Sequence, residues 1–461
     1  MASRCDANRM RSPSDPAPRL ATFRQSLYDR TLGRRKDTLF EILDAVLTWP
    51  GRESLVQRTR SPLFHRGWSS ASDALCDGTL DEAACRQLCV VSLTDPSTSA
   101  PDPRPIWALD GTSWPRPRAV TSPERTWNHQ PSSGLPDHGI MAGWDYHWLV
   151  AIPAAHQSWM LPLDVARRGP DTGTPTTLAL RQLRRVVSLL PAGVRPVVTA
   201  DSTYDPIELA LAVQQDLEVD VLVRLNGHRL FTTQPPPPVP GARGHARWYG
   251  DPVRLWQPED LPDPDDRTTI PDARHGTIEV AVWRQMLQRP HRNCPVTLVR
   301  VQAAHRPRSA RHPAPLWLLW AGKEEPEDLG DLWRWYAHRF AIEAGFRLLK
   351  QTFGWTAIRL RQPAAADRWT WLIALAQWQL WLAREMVADA RLPWERVMAP
   401  EQLTPGRVLR ALGPLLAHLG SPARPVTLRG KSPGRRSGQC PGPAPRYPVQ
   451  HRRAPPASIT T

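Results

Sequence analysis

Apolar positions recur along this chain with two different periods. In residues 37–47, Leu39, Ile42, Leu43, Val46 and Leu47 recur at three- and four-residue spacing, one stripe of a helix. A second helix is expected over 80–93, so 21–95 reads as a helical N-terminal domain and 94–105 as a linker. From residue 106 the apolar runs become short. The segment 106–110 (IWALD) predicts a buried strand ending in an acid. Strands are also expected at 144–154 and 157–165, as an antiparallel pair, and at 196–201 and 219–225. Helices stand among them. One covers 174–190, with Thr174 as N-cap and Pro175 at the first helical position. Another covers 206–216, opened by Asp205, Pro206 and Glu208.

Strand–helix alternation of this kind predicts an α/β sheet covered by helices. The alternation breaks between 226 and about 312. That stretch holds a proline run (234–240), a Gly- and Arg-rich patch (241–247) and strand-like pieces at 277–283 and 295–302, and it reads as a β-rich insertion. The sheet resumes at 316–322. Helices are then expected over 327–350, 363–390 and 403–418. The most apolar stretch, 369–383, contains Gln377 and Gln379 and is shorter than the roughly 20 residues a membrane span requires, so it predicts a buried helix. Residues 1–20 and the acid-free, arginine-rich tail 420–461 lack apolar periodicity and are expected to be disordered.

Composition changes this picture in three respects. At 461 residues the chain can build one large core or two to three domains. Its net charge is +15, and only Lys36, Lys323, Lys350 and Lys431 among 59 basic residues are lysines. Arginine forks match phosphate oxygens, so a polyanion partner is one reading and a GC-rich coding bias the other. The six cysteines form no CxxC pair, which favours buried free thiols over a zinc site. The N-terminus has no apolar h-region, so a cytoplasmic protein is expected, with no membrane partner.

Candidate chemistry rests on three acids. Asp110 and Asp201 each follow an apolar strand, and ligands of α/β sheets bind outside such strand ends. Paired carboxylates there can hold hard divalent cations, although a turn-forming Asp is the blander reading of each. Along 327–350, Tyr336, Arg339, Glu343 and Lys350 lie at offsets 0, 3, 7 and 14. At about 100° per residue they fall within roughly 60° of one another, on a helix face flanked by apolar residues. Asp137, Asp145 and Asp164 read as surface or turn acids, Trp114 and Trp355 as core, and His147 and His338 as core histidines.

The spacing Tyr-x2-Arg-x3-Glu-x6-Lys resembles the motif around the last acid of a large group of bacterial insertion-sequence DDE transposases, and all four positions match. The order Asp110 (in ALDGTSW), Asp201 (in VTADSTYD), Glu343 is similar too, with room for an insertion between the second and third acids. The resemblance covers roughly 100–390, with 391–419 as a C-terminal helical region. It implies an RNase H-like catalytic core in which Asp110, Asp201 and Glu343 ligate two Mg²⁺ or Mn²⁺ ions. Tyr336, Arg339 and Lys350 would hold DNA phosphates. It implies cut-and-paste transposition by a homodimer on DNA, associated with the nucleoid, with the N-terminal helices serving end binding or dimerisation. A DNA-binding regulator derived from a transposase and a stand-alone nuclease of the same fold are the alternatives.

Overall fold

The computed structural model describes residues 16–95, 104–129, 139–153, 158–238, 247–257, 261–303, 315–427 and 442–452, with isolated positions at 245, 434 and 438. Five helices open the described chain: α1 (Pro16–Ser26), α2 (Lys36–Thr48), α3 (Leu55–Arg58), α4 (Trp68–Asp77) and α5 (Glu82–Thr94). The apolar stripe of α2 is buried as its period predicts. Helix α1 begins inside the stretch expected to be disordered. Leu20 and Phe23 drop into the core, and an apolar anchor on a short helix is enough to order it. The rest of 1–15 lies outside the described residues.

The sheet begins with β1 (Ile106–Pro115), β2 (Thr126–His129), β3 (Ile140–Ile152) and β4 (Leu161–Arg168), followed by α6 (Pro175–Val187), β5 (Val197–Ala200), α7 (Pro206–Gln215) and β6 (Asp220–Arg224). Strand β3 pairs antiparallel with both β4 and β1. Strand β1 pairs parallel with β5, and β5 parallel with β6. The order β4–β3–β1–β5–β6 is the RNase H-like arrangement. Both crossover helices start as the sequence dictates. Thr174 accepts from the Thr177 amide and Asp205 from those of Ile207 and Glu208, each with proline at the first turn.

The insertion contributes β7 (Leu230–Thr232), β8 (Pro252–Arg254), β9 (Asp266–Asp272), β10 (Gly276–Gln288) and β11 (His291–Ala303), and β12 (Leu316–Ala321) follows. Strand β12 pairs antiparallel with β6 on one side and β11 on the other. The insertion therefore continues the same sheet, giving twelve strands in all among the described residues.

The helix expected over 327–350 is not continuous. Helix α8 (Gly330–His338) stops, two residues make a tighter turn, and α9 (Ala341–Arg347) resumes before a wide π-turn at Leu348–Thr352. In the joint the amides of Arg339, Phe340, Ile342 and Glu343 bond to carbonyls three residues back rather than four, which is 3₁₀ geometry. Helix α8 lies over β5, β9 and β10, whereas α9 lies over β1 and β3. The joint thus falls over the β1–β5 seam. At Gly345 a Cβ would meet the Met160 sulfur at 2.2 Å, so in this arrangement the Met160 side chain occupies the space beside the glycine.

Helix α10 (Pro363–Ala383) is apolar all round and almost wholly buried, as predicted, and ends seven residues earlier than its pattern suggests. Among the described residues no helix is long and apolar enough to cross a membrane. Helices α1, α2, α4 and α11 (Pro405–Leu419) pack around α10. The N-terminal helices share its core instead of forming a separate one. Gln379 of α10 accepts from Arg24, which is bonded at 2.7 Å to the buried Asp44. Trp114, Trp144, Tyr146, Trp148 and Trp355 interlock between sheet and helices, three of the ring pairs edge to face and two tilted.

Part of the basic tail departs from the expected disorder. Its backbone lies along β2, with the amides of Tyr447 and Gln450 bonded to the carbonyls of Val120 and Arg125. Gln450 also bridges Thr126 as a parallel strand neighbour.

Candidate active site

Asp110 does not end its strand, contrary to expectation. It is the fifth of ten residues of β1, because β1 continues against β3 to Pro115. What ends there is the neighbour: the parallel register runs Leu109 to Ala200 and stops. The next residues on the two strands, Asp110 and Asp201, therefore stand side by side. Residues in register on parallel strands point to one face. Asp201 is fixed by its turn, where its carboxylate accepts from the Thr203 amide at 3.0 Å and the Thr203 hydroxyl at 3.2 Å.

The 3₁₀ joint delivers Arg339 onto this pair. Its Nη2 lies 2.9 Å from Asp110 Oδ2 and 3.7 Å from Asp201 Oδ2, and the side chain is 7% exposed. Burial pushes the Asp110 carboxyl up to about 6. The Arg339 charge opposes this and the Asp201 charge adds to it. Arg339 is correspondingly raised, since its carboxylate neighbours outweigh its own desolvation.

The remaining helix residues are placed less closely. Tyr336 is buried under Arg339, its phenol raised by desolvation. Lys350 donates to Thr112 Oγ1 at 2.6 Å from the π-turn, and burial lowers its ammonium while Asp110 opposes that. Glu343 is exposed and reaches the site only through its attraction to Arg339. The four residues thus do not present one even stripe, because the 3₁₀ joint rotates Glu343 relative to Arg339. Among the described residues no three His, Cys, Asp or Glu side chains are close enough to hold a metal ion. Asp110 and Asp201 nonetheless share one cation, the guanidinium, and offer the oxygen donors hard divalent ions require. The pair fits such an ion if Arg339 withdraws.

Behind the acids, on the opposite face of the sheet, lies a second polar group. His147 pairs in register with Gly111 and is 1% exposed. Its Nδ1 is 2.8 Å from the Tyr204 hydroxyl and its Nε2 3.3 Å from Asp145. Asp145 also meets Arg452 of the tail at 2.9 Å and Arg168 at 3.6 Å. These charges and the His147 bond hold Asp145 below the usual carboxylate range, against its desolvation.

His147 is thus the satisfied core histidine expected, whereas Asp145 and Asp164 are not surface acids. Asp164 is fully buried between Arg86 and Arg185, each at 2.7 Å. A strand position between apolar residues was the available signal for both. Trp114 and Trp355 are buried, as their core reading requires. Cys85 and Cys89 are buried free thiols, and burial raises both. Asp137 lies outside the described residues. Thr112 and Thr203, which bond Lys350 and Asp201, were missed; the hydroxyl two residues after each acid was the signal.

Residues 27–290, more than half of the chain, match the DDE superfamily endonucleases. The chain belongs to this family of DDE-type transposases and nucleases, which act on DNA by cutting phosphodiester bonds and generally use divalent metal ions. The match includes Asp110 and Asp201 and stops before α8. No curated protein matches the chain.

Proposed function

We propose that the protein is a cut-and-paste DNA transposase whose catalytic acids are Asp110, Asp201 and Glu343. The observation that carries this reading is the neighbouring pair Asp110 and Asp201, bridged by the guanidinium of Arg339 from the joint just before the helix that holds Glu343. Two Mg²⁺ or Mn²⁺ ions held by these acids would activate the attacking water and stabilise the leaving oxygen. The chain's own residues do the rest. Arg339 is drawn from the carboxylates toward a DNA phosphate once the acids have another cation. Lys350, beside Thr112, offsets phosphate charge on the same side. The Tyr336 hydroxyl, kept neutral by burial, donates to a phosphate oxygen. Glu343, free to turn at the surface, completes the acid set.

The freed 3′-hydroxyl of the element end then attacks target DNA. The protein works in the bacterial cytoplasm, at the nucleoid, as a homodimer on paired ends. The helical region 21–95 takes part in end binding or dimerisation.

Incubation with the element's flanking genomic ends and Mg²⁺, with strand-specific mapping of cuts, tests the reading. Wild type should nick at the ends and join them to target, and Asp201→Ala should bind DNA and cut nothing. Cleavage retained by Asp201→Ala removes that assignment. DNA binding without cutting by wild type marks a regulator, and cutting without joining a stand-alone nuclease.

A further inference from the structure

We infer that Asp145, His147 and Tyr204 form a buried positioning relay that holds the Asp201 turn, and that Arg452 of the C-terminal segment closes its outer end. This rests on Asp201 being a metal-holding acid of the active site. Asp145 is ionised and can only accept, so His147 Nε2–H donates to it at 3.3 Å. The other ring nitrogen, Nδ1, is hydrogen-bonded to the Tyr204 hydroxyl at 2.8 Å. Tyr204 is fully buried and belongs to the turn itself, its amide bonding the Asp201 carbonyl at 3.3 Å. The ring also meets Tyr204 edge-on, with centroids 5.7 Å apart.

The backbone is shaped for this relay. A Cβ at Gly111 would lie 3.1 Å from the His147 ring, so the glycine after Asp110 makes the space the imidazole fills. Gln182 of α6 donates to the His147 carbonyl at 3.1 Å, fixing the strand behind it. At the outer end, Arg452 Nη2 bonds Asp145 at 2.9 Å and Thr126 at 3.0 Å, and also contacts Asn128. One hydrogen-bonded line thus runs from the tail, through the sheet's far face, to the turn that aims Asp201. None of its members touches the reacting atoms. Their part is to keep the second carboxylate from drifting as the pair exchanges Arg339 for another cation.

The test compares Tyr204→Phe, His147→Ala, His147→Asn and Arg452→Ala in the full chain. Two quantities are read: amide hydrogen exchange of residues 201–205, and the Mn²⁺ concentration for half-maximal cleavage. Tyr204→Phe and His147→Ala should speed exchange of this turn about tenfold and raise the Mn²⁺ requirement several-fold, with DNA affinity as in wild type. Asparagine presents an amide oxygen near the Nδ1 position, so His147→Asn should recover most of both. Arg452→Ala should give a smaller change of the same sign. Slow exchange in Tyr204→Phe, equal to wild type, overturns the relay. So does a His147→Asn protein as impaired as His147→Ala. The exchange arm reads the relay even if wild type fails to cut DNA, so failure of the functional proposal is separately visible.

Discussion

Asp110 and Asp201 carry opposite burdens although they stand side by side. Asp110 is the more buried, and its carboxyl is raised to about 6. A protonated carboxyl does not ligate a cation, so proton and metal compete for it. As pH falls through about 6, Mn²⁺ affinity should fall with it, and uptake of the ion should release about half a proton at pH 6 and close to one well below it. Mn²⁺ titration by electron paramagnetic resonance between pH 5 and 8 measures this, and an affinity flat across that range contradicts it. Gly111 offers a second residue-scale expectation. Gly111→Ala puts a methyl against the His147 ring, and an overpacked core position costs about 1–3 kcal/mol. Chemical denaturation should show that loss, and Gly111→Ala/His147→Ala should recover part of it. The acids themselves were legible in the sequence, as were Arg339 and Lys350. The reason Asp110 and Asp201 stand side by side was not. It depends on where β5 stops, and pairing between strands ninety residues apart leaves no local trace.

Elements were read best where a single period ran unbroken. Helices α2, α6 and α7 and strands β5, β6 and β12 lie within a few residues of their expected bounds, since caps, prolines and apolar runs mark them. The exception with consequences is the stretch 330–352. No proline breaks it, and its 3.6-residue pattern continues through the joint. The break is imposed from outside, by the need to lie first over β5 and then over β1 and β3. Only Gly345 hints at it, as a glycine inside a helical pattern. Because Met160 fills the space a side chain would need, Gly345→Ala should destabilise the fold by about 1–3 kcal/mol and displace α9 from the sheet. Urea unfolding checks the first effect. A lower Asp110–Arg339 coupling in a double-mutant cycle checks the second. Full stability in Gly345→Ala, with the coupling intact, means the helix has slack that the Met160 contact denies.

At the scale of the whole molecule, the family's DNA partner fits the polyanion reading of the charge, but part of that charge is structural. Arg24, Arg58 and Arg86 are spent inside, tying the N-terminal helices to the rest. Arg24 bonds Asp44 and Gln379 at once, so Arg24→Ala leaves a buried carboxylate unpaired. Breaking such a pair costs about 3–5 kcal/mol. The expected result is one cooperative thermal transition at a markedly lower midpoint. Two separate transitions instead would mean that the N-terminal helices fold apart from the sheet. Buried arginine is hard to foresee from one sequence, because a partner can lie as far as 355 residues away, as Gln379 does from Arg24.

The continuity of the sheet through β6, β12, β11 and β10 bears on how force moves in this protein. A hinged appendage could swing without disturbing the acids. Here, a load on the turn between β10 and β11 has no loop to bend before it meets hydrogen-bonded strands. From β12 the ladder continues to β6 and on to β5, whose last residue precedes Asp201. The hairpin is thus tied to the strand before Asp201 by a ladder of hydrogen bonds rather than by a tether.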